Sequence, residues 1–209
     1  ICLENRLRHI NGAKPADVES NGVPLLRFDV VRDAPDPSRV PEVLRKRPDV
    51  SHEVLRCQGK REFILNRGNS LWTVNGRPYK DGQVVAHVQR NSAEIWTFKN
   101  GGGGWDHPIH VHHNEFLLLK RNGLPVADIE AGRKDVVRLD PGGEVELLMR
   151  FRDFVGQYPI HCHNVLHEDH AMMAMFEIQD KNDLPCPDKD GPTEDGERPG
   201  CHHGNGHGH

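Results

Sequence analysis

Two short histidine-rich motifs hold the residues of this sequence that could do chemistry. The first is His-Pro-Ile-His-Val-His at residues 107–112, and the second is His-Cys-His at residues 161–163, followed by His167 and Met172. More than half of the fifteen histidines of the 209-residue chain fall within the stretch that contains these motifs, a density that ordinary packing does not explain. Imidazole, thiolate and thioether groups are ligands for transition metals. The two motifs therefore predict a metal-binding protein.

An extended backbone would sort these donors onto two faces. Side chains alternate along a strand, so His110 and His112 share one face. In the second motif the two histidines share a face, while Cys162 between them points the opposite way. His107 lies three positions before His110, an odd offset that sends it to the face used by the cysteine. One strand is therefore expected to serve two metal sites.

The donor types favour copper at the first of these sites. Two imidazoles, one thiolate and a weak axial thioether are the ligands of a blue-copper centre. A structural zinc site, the competing interpretation, favours two or more cysteines at short spacing, whereas one cysteine lies among these histidines. The blue-copper set would be His107, Cys162, His167 and Met172, and a second metal cluster would explain the remaining four histidines, His110, His112, His161 and His163.

The two motifs resemble the C-terminal copper signatures of multicopper oxidases of the laccase and bilirubin oxidase type. The glycine-rich segment before His107 and the sequence His-Glu-Asp-His at residues 167–170 are similar to bilirubin oxidases in particular. The resemblance covers residues 60–180 most strongly. It implies an all-β, cupredoxin-like Greek-key sandwich, the C-terminal domain of a multi-domain oxidase. It also implies one-electron oxidation of phenolic, aromatic amine or tetrapyrrole-like donors, coupled to four-electron reduction of dioxygen to water.

The same resemblance implies a role for each donor. The blue-copper set would hold the type 1 copper, which accepts electrons from the reducing substrate. His110 would serve the type 2 copper, and His112, His161 and His163 would serve the type 3 pair. Electrons would leave Cys162 through its covalent bonds to the histidines on either side.

The second metal cluster is incomplete in this sequence. The trinuclear cluster of the family needs eight histidines, four of which normally come from two His-X-His motifs in an N-terminal domain. Residues 1–100 contain only His9, His52 and His87, and no two of these have that spacing. We therefore expect an N-terminal segment or chain of the same oxidase to supply four more ligands.

Three further residues near the motifs are candidates for catalytic roles. Glu168 follows a copper ligand, and in the resembling enzymes the acid at this place is thought to help deliver protons to the dioxygen cluster. The alternative is that Glu168 orients a histidine ring through its free nitrogen. Trp105 would lie on the same side as His107 in an extended segment, where it could flank the donor molecule or simply pack. Asp106 is a candidate acidic contact for phenols or amines.

The elements that must position these residues are short strands. Runs of β-favouring residues alternate with turn residues after Gly59, and Asn75-Gly76, Asn122-Gly123 and Pro141-Gly142-Gly143 predict turns. Eight or nine strands imply a sandwich of two sheets. The predicted strands are 62–66, 71–74, 83–88, 93–98, 108–120, 136–139, 144–151, 157–163 and 172–178.

Composition divides the chain into four predicted parts. Residues 1–33 carry an apolar run that would end a preceding cupredoxin-like domain, and residues 34–58 are rich in Pro, Arg and Asp and predict a linker, with a short helix over 42–46 as an alternative. Residues 59–180 would form the C-terminal cupredoxin domain. Residues 181–209 are polar and rich in glycine and histidine, and they predict a flexible tail.

Charge and cysteine content bear on partners and location. The 27 basic and 31 acidic side chains nearly balance, which argues against a nucleic-acid partner. No stretch reaches the roughly 20 apolar residues of a membrane span. Cys186 and Cys201 bracket a polar loop, which a disulfide between them would restrain; the alternative is that both remain free thiols. If the disulfide forms, the protein is secreted or periplasmic.

Three alternative functions remain open at this point. A metallo-oxidase acting on Cu(I), Mn(II) or Fe(II) belongs to the same family, although it would be favoured by a methionine-rich loop that is not evident here. A type 1 copper electron-transfer module would use the mononuclear site alone. A nitrite reductase-like protein would combine type 1 and type 2 centres without a coupled copper pair.

Overall fold

The computed structural model describes residues 1–8, 17–45, 49–50, 59–113 and 115–180. Most of the described residues lie in short strands, as the alternation of apolar and polar residues predicts. The strands in chain order are β1 (Cys2–Leu7), β2 (Val18–Arg27), β3 (Gly59–Gly68), β4 (Leu71–Val74), β5 (Val84–Gln89), β6 (Ser92–Asn100), β7 (His107–Val111), β8 (Phe116–Arg121), β9 (Leu124–Pro125), β10 (Arg133–Lys134), β11 (Val136–Leu139), β12 (Glu144–Phe151), β13 (Gly156–Cys162) and β14 (Met173–Gln179).

Residues 59–180 form two sheets that pack on each other. The larger sheet has the strand order β10-β8-β12-β6-β3-β4, with β9 paired to β8. The smaller sheet has the order β11-β7-β13-β14-β5. Most neighbours are antiparallel, but β3 pairs with β6 and β14 pairs with β5 in parallel. The all-β sandwich predicted from the sequence is confirmed.

The core is an aromatic layer between the two sheets. In β6 the side chains alternate, so that Trp96 and Phe98 face inward and are fully buried. The Trp96 ring meets Phe176 of the other sheet edge-on, with ring centroids 5.2 Å apart, and it also packs on Phe63 and Phe151. Burying each such ring contributes roughly 2–3 kcal/mol. This layer fixes the distance between the sheets, and therefore the position of the strands that carry the histidine motifs.

Two of the predicted turns have the backbone that their sequences require. Asn75-Gly76 and Asn122-Gly123 have positive φ at both residues, as in the tight hairpins that Asn-Gly favours. Gly142 also has positive φ, in the turn between β11 and β12. These positions favour Gly and Asn because other side chains are strained in this conformation.

One strand prediction was wrong, because it joined two strands into one. The run at residues 108–120 is two strands, because β7 and β8 lie in different sheets. Both halves are rich in β-favouring residues, so the sequence pattern alone does not mark the crossing between the sheets. All the other predicted strands after Gly59 match an observed strand to within three residues at either end.

Besides the two sheets, the described residues form a two-stranded ribbon, a single-turn 3-10 helix (Asp128–Glu130) and one short α-helix. β1 and β2 pair with each other, and residues 28–45 contain no helix or strand. The helix α1 (Val165–Asp169) follows β13 and is capped by Asn164, whose side chain accepts a hydrogen bond from the Leu166 amide. The predicted tail at 181–209, with Cys186 and Cys201, lies outside the described residues. The assignment of 1–33 and 34–58 to a preceding domain and a linker stays a prediction.

Among the described residues, no helix has the length and apolar character needed to cross a membrane.

Candidate metal centres

Three side chains converge at the first donor cluster, which we call the mononuclear site. Nδ1 of His107 and Nδ1 of His167 lie 3.1 Å apart, and each lies 3.6 Å from Sγ of Cys162. All three residues are fully buried. Metal–nitrogen and metal–sulfur bonds of about 2.0 and 2.3 Å place the donors of one ion about 3 to 4 Å apart. The three donor atoms therefore have the spacing of a shared ion.

Local structure brings these residues together. His107 begins β7 and Cys162 ends β13, and the two strands are antiparallel neighbours with Cys162 opposite Ile109. His167 lies in α1, whose single turn carries its ring back over the end of β13. Met172 is fully buried, donates its amide to the carbonyl of His167, and accepts from the amide of Cys162. The backbone contacts of Met172 therefore bring it beside the other three residues of the predicted blue-copper set.

Burial sets the protonation of this site. It raises the pKa of the Cys162 thiol to about 12, because the thiolate would lose its hydration. It lowers the pKa of His107 to about 4, with a smaller contribution from the nearby His167. The pKa of His167 is also lowered to about 4, by burial first and then by the charges of Arg67 and His170. Two neutral imidazoles thus face a thiol at neutral pH, and metal binding would release the thiol proton.

The other four histidines form the second donor cluster, which we call the histidine cluster. His110 stands opposite His161 across the β7–β13 pair, with ring centroids 5.3 Å apart. Nε2 of His112 lies 3.2 Å from Nε2 of His161. The His163 ring lies 5.6 Å from the rings of both His110 and His161. Donor atoms of His110, His112 and His161 all lie within 4.8 Å of one another, so they could hold an ion.

The two clusters are on opposite sides of β13, as the alternation of side chains predicts. His161 and Cys162 are covalent neighbours, yet the first joins the histidine cluster and the second joins the mononuclear site. Burial is the main cause that lowers the pKa of His112, and the nearby His110 and His161 add to it. Neutral rings with free ring nitrogens are the form that binds metals.

The three candidate catalytic residues lie close to one cluster or the other. A carboxylate oxygen of Glu168 lies 3.3 Å from Nδ1 of His161. The Trp105 ring meets the His167 ring edge-on, with centroids 5.0 Å apart. Asp106 is 7% exposed, and its carboxylate lies 4.0 Å from the Arg138 guanidinium. A contact between Asp106 and a donor molecule would require this buried group to become accessible.

Sequence reasoning missed Trp72 and Arg67 beside the mononuclear site. The Trp72 ring stacks on the His167 ring with centroids 3.9 Å apart and a tilt of 32°. It also meets the edges of His107 and Trp105. The Arg67 guanidinium carbon lies 5.2 Å from the centre of the Trp72 ring. Neither residue belongs to a motif, and only the packing of the sheets brings them to the site.

Comparison with known proteins agrees with the donor geometry. The model of the multicopper oxidase family matches residues 56–182, which include all eight candidate ligands. The chain belongs to the multicopper oxidase family. The resemblance seen in the two motifs is therefore confirmed, and the cofactor of this family is copper. The two imidazoles and one thiol of the mononuclear site are donors that suit copper, so the residues present fit the cofactor.

Individual relatives within the multicopper oxidase family include a bilirubin oxidase and a laccase. The chain is 39% identical to a bilirubin oxidase of Albifimbria verrucaria, over 84% of this chain and 32% of that protein. It is 33% identical to a laccase of Haloferax volcanii, over 80% of this chain and 30% of that protein. The chain thus spans about a third of the length of these curated relatives.

Solved structures of multicopper oxidases share the fold. A laccase from Pediococcus acidilactici superposes with a TM-score of 0.61 at 27% identity, covering 69% of this chain and 32% of the other. The multicopper oxidase McoA of Aquifex aeolicus gives a TM-score of 0.63 at 23% identity, over 78% of this chain and 38% of that one. The second likeness, at its lower identity, bears on the fold alone.

Proposed function

We propose that this chain is the C-terminal, copper-holding part of an oxidase of the laccase and bilirubin oxidase type. The observation that carries the proposal is the division of donors along β13, where Cys162 faces one cluster and His161 faces the other. A protein that only carried electrons would need one cluster. Two clusters joined by a single peptide bond suit an enzyme that takes electrons in at one site and uses them at another.

The proposed ligands follow the two clusters. His107, Cys162, His167 and Met172 would hold the type 1 copper, His110 the type 2 copper, and the remaining three, His112, His161 and His163, the type 3 pair. Bound copper would supply one-electron oxidation of phenolic, aromatic amine or tetrapyrrole-like donors and four-electron reduction of dioxygen to water.

The backbone of β13 would connect the two sites. Cys162 is bonded directly to His161 and His163, so the path between the clusters runs through covalent bonds of neighbouring residues. The amide of His163 donates to the carbonyl of Pro108 at 2.6 Å, which ties the end of this path to β7. A rigid, short connection favours electron transfer because little reorganisation is needed.

Glu168 would orient the His161 ring. Its carboxylate lies 3.3 Å from Nδ1, which also lies 3.2 Å from the carbonyl oxygen of Cys162, and Nε2 of His161 is left directed at His112. Carboxylates that bind the free nitrogen of a ligating histidine fix the tautomer and the ring orientation. Glu168 is also partly exposed, at 29% of its side chain, so it could pass protons from solvent toward the histidine cluster.

Trp105 would flank the donor molecule. Its ring is partly exposed and contacts the His167 ring, so a flat aromatic donor resting on Trp105 would lie close to a ligand of the mononuclear site. We give Asp106 a weaker role as an acidic contact, because its carboxylate is nearly buried beside Arg138.

An N-terminal part of the same oxidase would complete the histidine cluster with four more histidines. Exposed apolar side chains lie near the cluster in sequence, among them Phe154, Val155, Val165 and Leu166, and would suit a covering protein surface. We propose a secreted or periplasmic location, which a disulfide between Cys186 and Cys201 would favour if the bond forms.

Copper analysis tests the proposal. The protein containing this chain is loaded with copper under reducing conditions, dialysed and assayed for metal, visible absorption and dioxygen uptake with a phenolic donor. We expect a thiolate-to-copper absorption band and, with the N-terminal part present, about four coppers and oxygen uptake. The proposal would be contradicted if the protein bound zinc in preference to copper. It would also be contradicted if the coloured protein never took up more than one copper.

The rival functions give other results in the same experiment. An electron-transfer module would hold one copper, and a nitrite reductase-like protein would lack a magnetically coupled copper pair. A metallo-oxidase would oxidise Cu(I), Mn(II) or Fe(II) faster than phenols. The four clustered histidines favour the oxidase with a coupled pair, because a mononuclear carrier would leave them without a role.

A further inference from the structure

The rings of the two histidines at the mononuclear site lack the usual support. A ligating histidine normally uses its second ring nitrogen to bind a carboxylate, a carbonyl or water, and this fixes the ring. Nε2 of His107 and Nε2 of His167 are both buried and have no hydrogen-bond partner among the described residues. Some other contact must therefore hold these rings in place.

The indole of Trp72 occupies that position. It lies over the His167 ring at a tilt of 32°, with centroids 3.9 Å apart, and it meets the His107 ring edge-on at 5.5 Å. Trp72 is 4% exposed, and its amide donates to the carbonyl of His170 at 3.4 Å. A flat ring packed on the face of an imidazole limits rotation of that imidazole about its Cβ–Cγ bond.

The sheet holds the indole in turn. Trp72 lies in β4, opposite Arg67 of β3, and the guanidinium of Arg67 lies over the indole at 5.2 Å from its centre. Trp72 belongs to the larger sheet, whereas His107 and Cys162 belong to the smaller one. The contact thus links the mononuclear site to the opposite layer of the sandwich.

We infer that Trp72, held by Arg67, is a positioning residue that fixes the His167 ring for copper, in place of a hydrogen bond to its second nitrogen. The inference rests on the proposed function, because it assigns Trp72 a part in the copper site. It also makes a statement about the metal-free protein, where the His167 ring should already have one orientation.

Substitutions at Trp72 test the inference in both states. Trp72→Leu removes the flat ring and Trp72→Phe retains a smaller one, whereas Trp96→Phe is a matched control in the aromatic layer, where Trp96 packs on Phe63, Phe151 and Phe176. NMR of the metal-free chain reports the ring-current shift and the tautomer of His167. Copper-loaded protein reports the thiolate-to-copper band and the rate of copper loss to a chelator.

In the metal-free chain, Trp72→Leu should remove the part of the ring-current shift of His167 that comes from Trp72, leaving the smaller part from Trp105, and should give averaged ring signals. In the loaded chain, it should speed copper loss by about tenfold or more and alter the absorption band. Trp72→Phe should rescue most of both effects. Trp96→Phe should lower stability without changing the His167 signals or the copper site.

Wild-type values for both readouts in Trp72→Leu would overturn the inference. Should the wild-type protein form no thiolate-to-copper band, the proposed function fails, and the NMR result alone decides whether Trp72 positions His167.

Discussion

His110 and His161 stand directly opposite each other on the adjacent antiparallel strands β7 and β13. The next residue of β13, Cys162, stands opposite Ile109 and points to the other side. A displacement of one residue in this pairing would send every side chain of β13 to the wrong face. The register of these two strands therefore determines the composition of both donor clusters together.

Cys162→Ser should remove the mononuclear site while leaving the fold intact. A serine has nearly the same shape, but its hydroxyl is a poor ligand for copper and is buried without the sulfur contacts. We expect loss of the thiolate-to-copper band, about one copper fewer per protein, and a destabilisation of about 1–3 kcal/mol. Cys2→Ser is the matched control, because Cys2 is exposed and lies far from the clusters in sequence. A retained band in Cys162→Ser would refute the assignment of the thiol.

The stability of the metal-free chain should rise with pH between about 4 and 6.5. Burial lowers the pKa of His107 and His167 to about 4, whereas in the unfolded chain both titrate near 6.5. Within this window the unfolded state binds more protons than the folded state, so acid favours unfolding. The loss between pH 7.5 and 4.5 is on the order of 2–3 kcal/mol for each of the two histidines. Urea unfolding at pH 4.5 and 7.5 measures it.

Two variants identify the histidines responsible for this pH dependence. His167→Leu removes one of the two buried titrating rings and should flatten the dependence between pH 4.5 and 7.5. Ile129→Ala changes an exposed residue that carries no ionisable group, and this control should leave the slope as it is. An unaltered slope in His167→Leu would contradict the assignment.

Glu168→Gln should weaken copper retention in the histidine cluster. The carboxylate lies 3.3 Å from Nδ1 of His161, and the loss of such a partner typically costs 10–100-fold in metal affinity. Asp169→Asn is the control, since Asp169 is the exposed acidic neighbour. Copper content after dialysis against a weak chelator measures the effect. Full copper content together with slow dioxygen turnover would instead assign Glu168 to proton delivery.

Arg67→Gln should make the mononuclear site a weaker oxidant. The guanidinium charge reaches His167, where it contributes to the lowered pKa of that ring, and a nearby positive charge favours the reduced, less positive metal. We expect the electron-transfer equilibrium with a one-electron donor to shift about two- to fivefold toward the oxidised protein. Arg67→Lys retains the charge and serves as the control. A redox titration measures the shift, and equal potentials in Arg67→Gln and Arg67→Lys would argue against an effect of charge.

The sequence was sufficient to predict the donors because their spacing and the period of a strand are both local properties. The opposite orientations of Cys162 and its neighbours follow from the alternation of side chains alone. The strands 71–74, 136–139 and 144–151 were predicted with their observed bounds, since turn residues flank each of them.

Contacts between distant segments could not be predicted in the same way. Trp72 lies 95 positions before His167 in an ordinary apolar strand, and nothing local distinguishes it from a core residue such as Trp96. The parallel pairing of β14 with β5 is equally non-local. Such neighbours are set by how the two sheets pack, which depends on the whole chain.

The mononuclear site is built from residues that are synthesised far apart in time. Sixty positions separate His107 from His167, and Met172, whose backbone joins His167 to Cys162, comes later still. A growing polypeptide therefore exposes isolated imidazoles long before the thiol arrives, and none of these partial sets would hold the metal firmly. Capture of copper should follow synthesis of Met172, and chains stalled on the ribosome before residue 172 should gain no protease resistance from the metal.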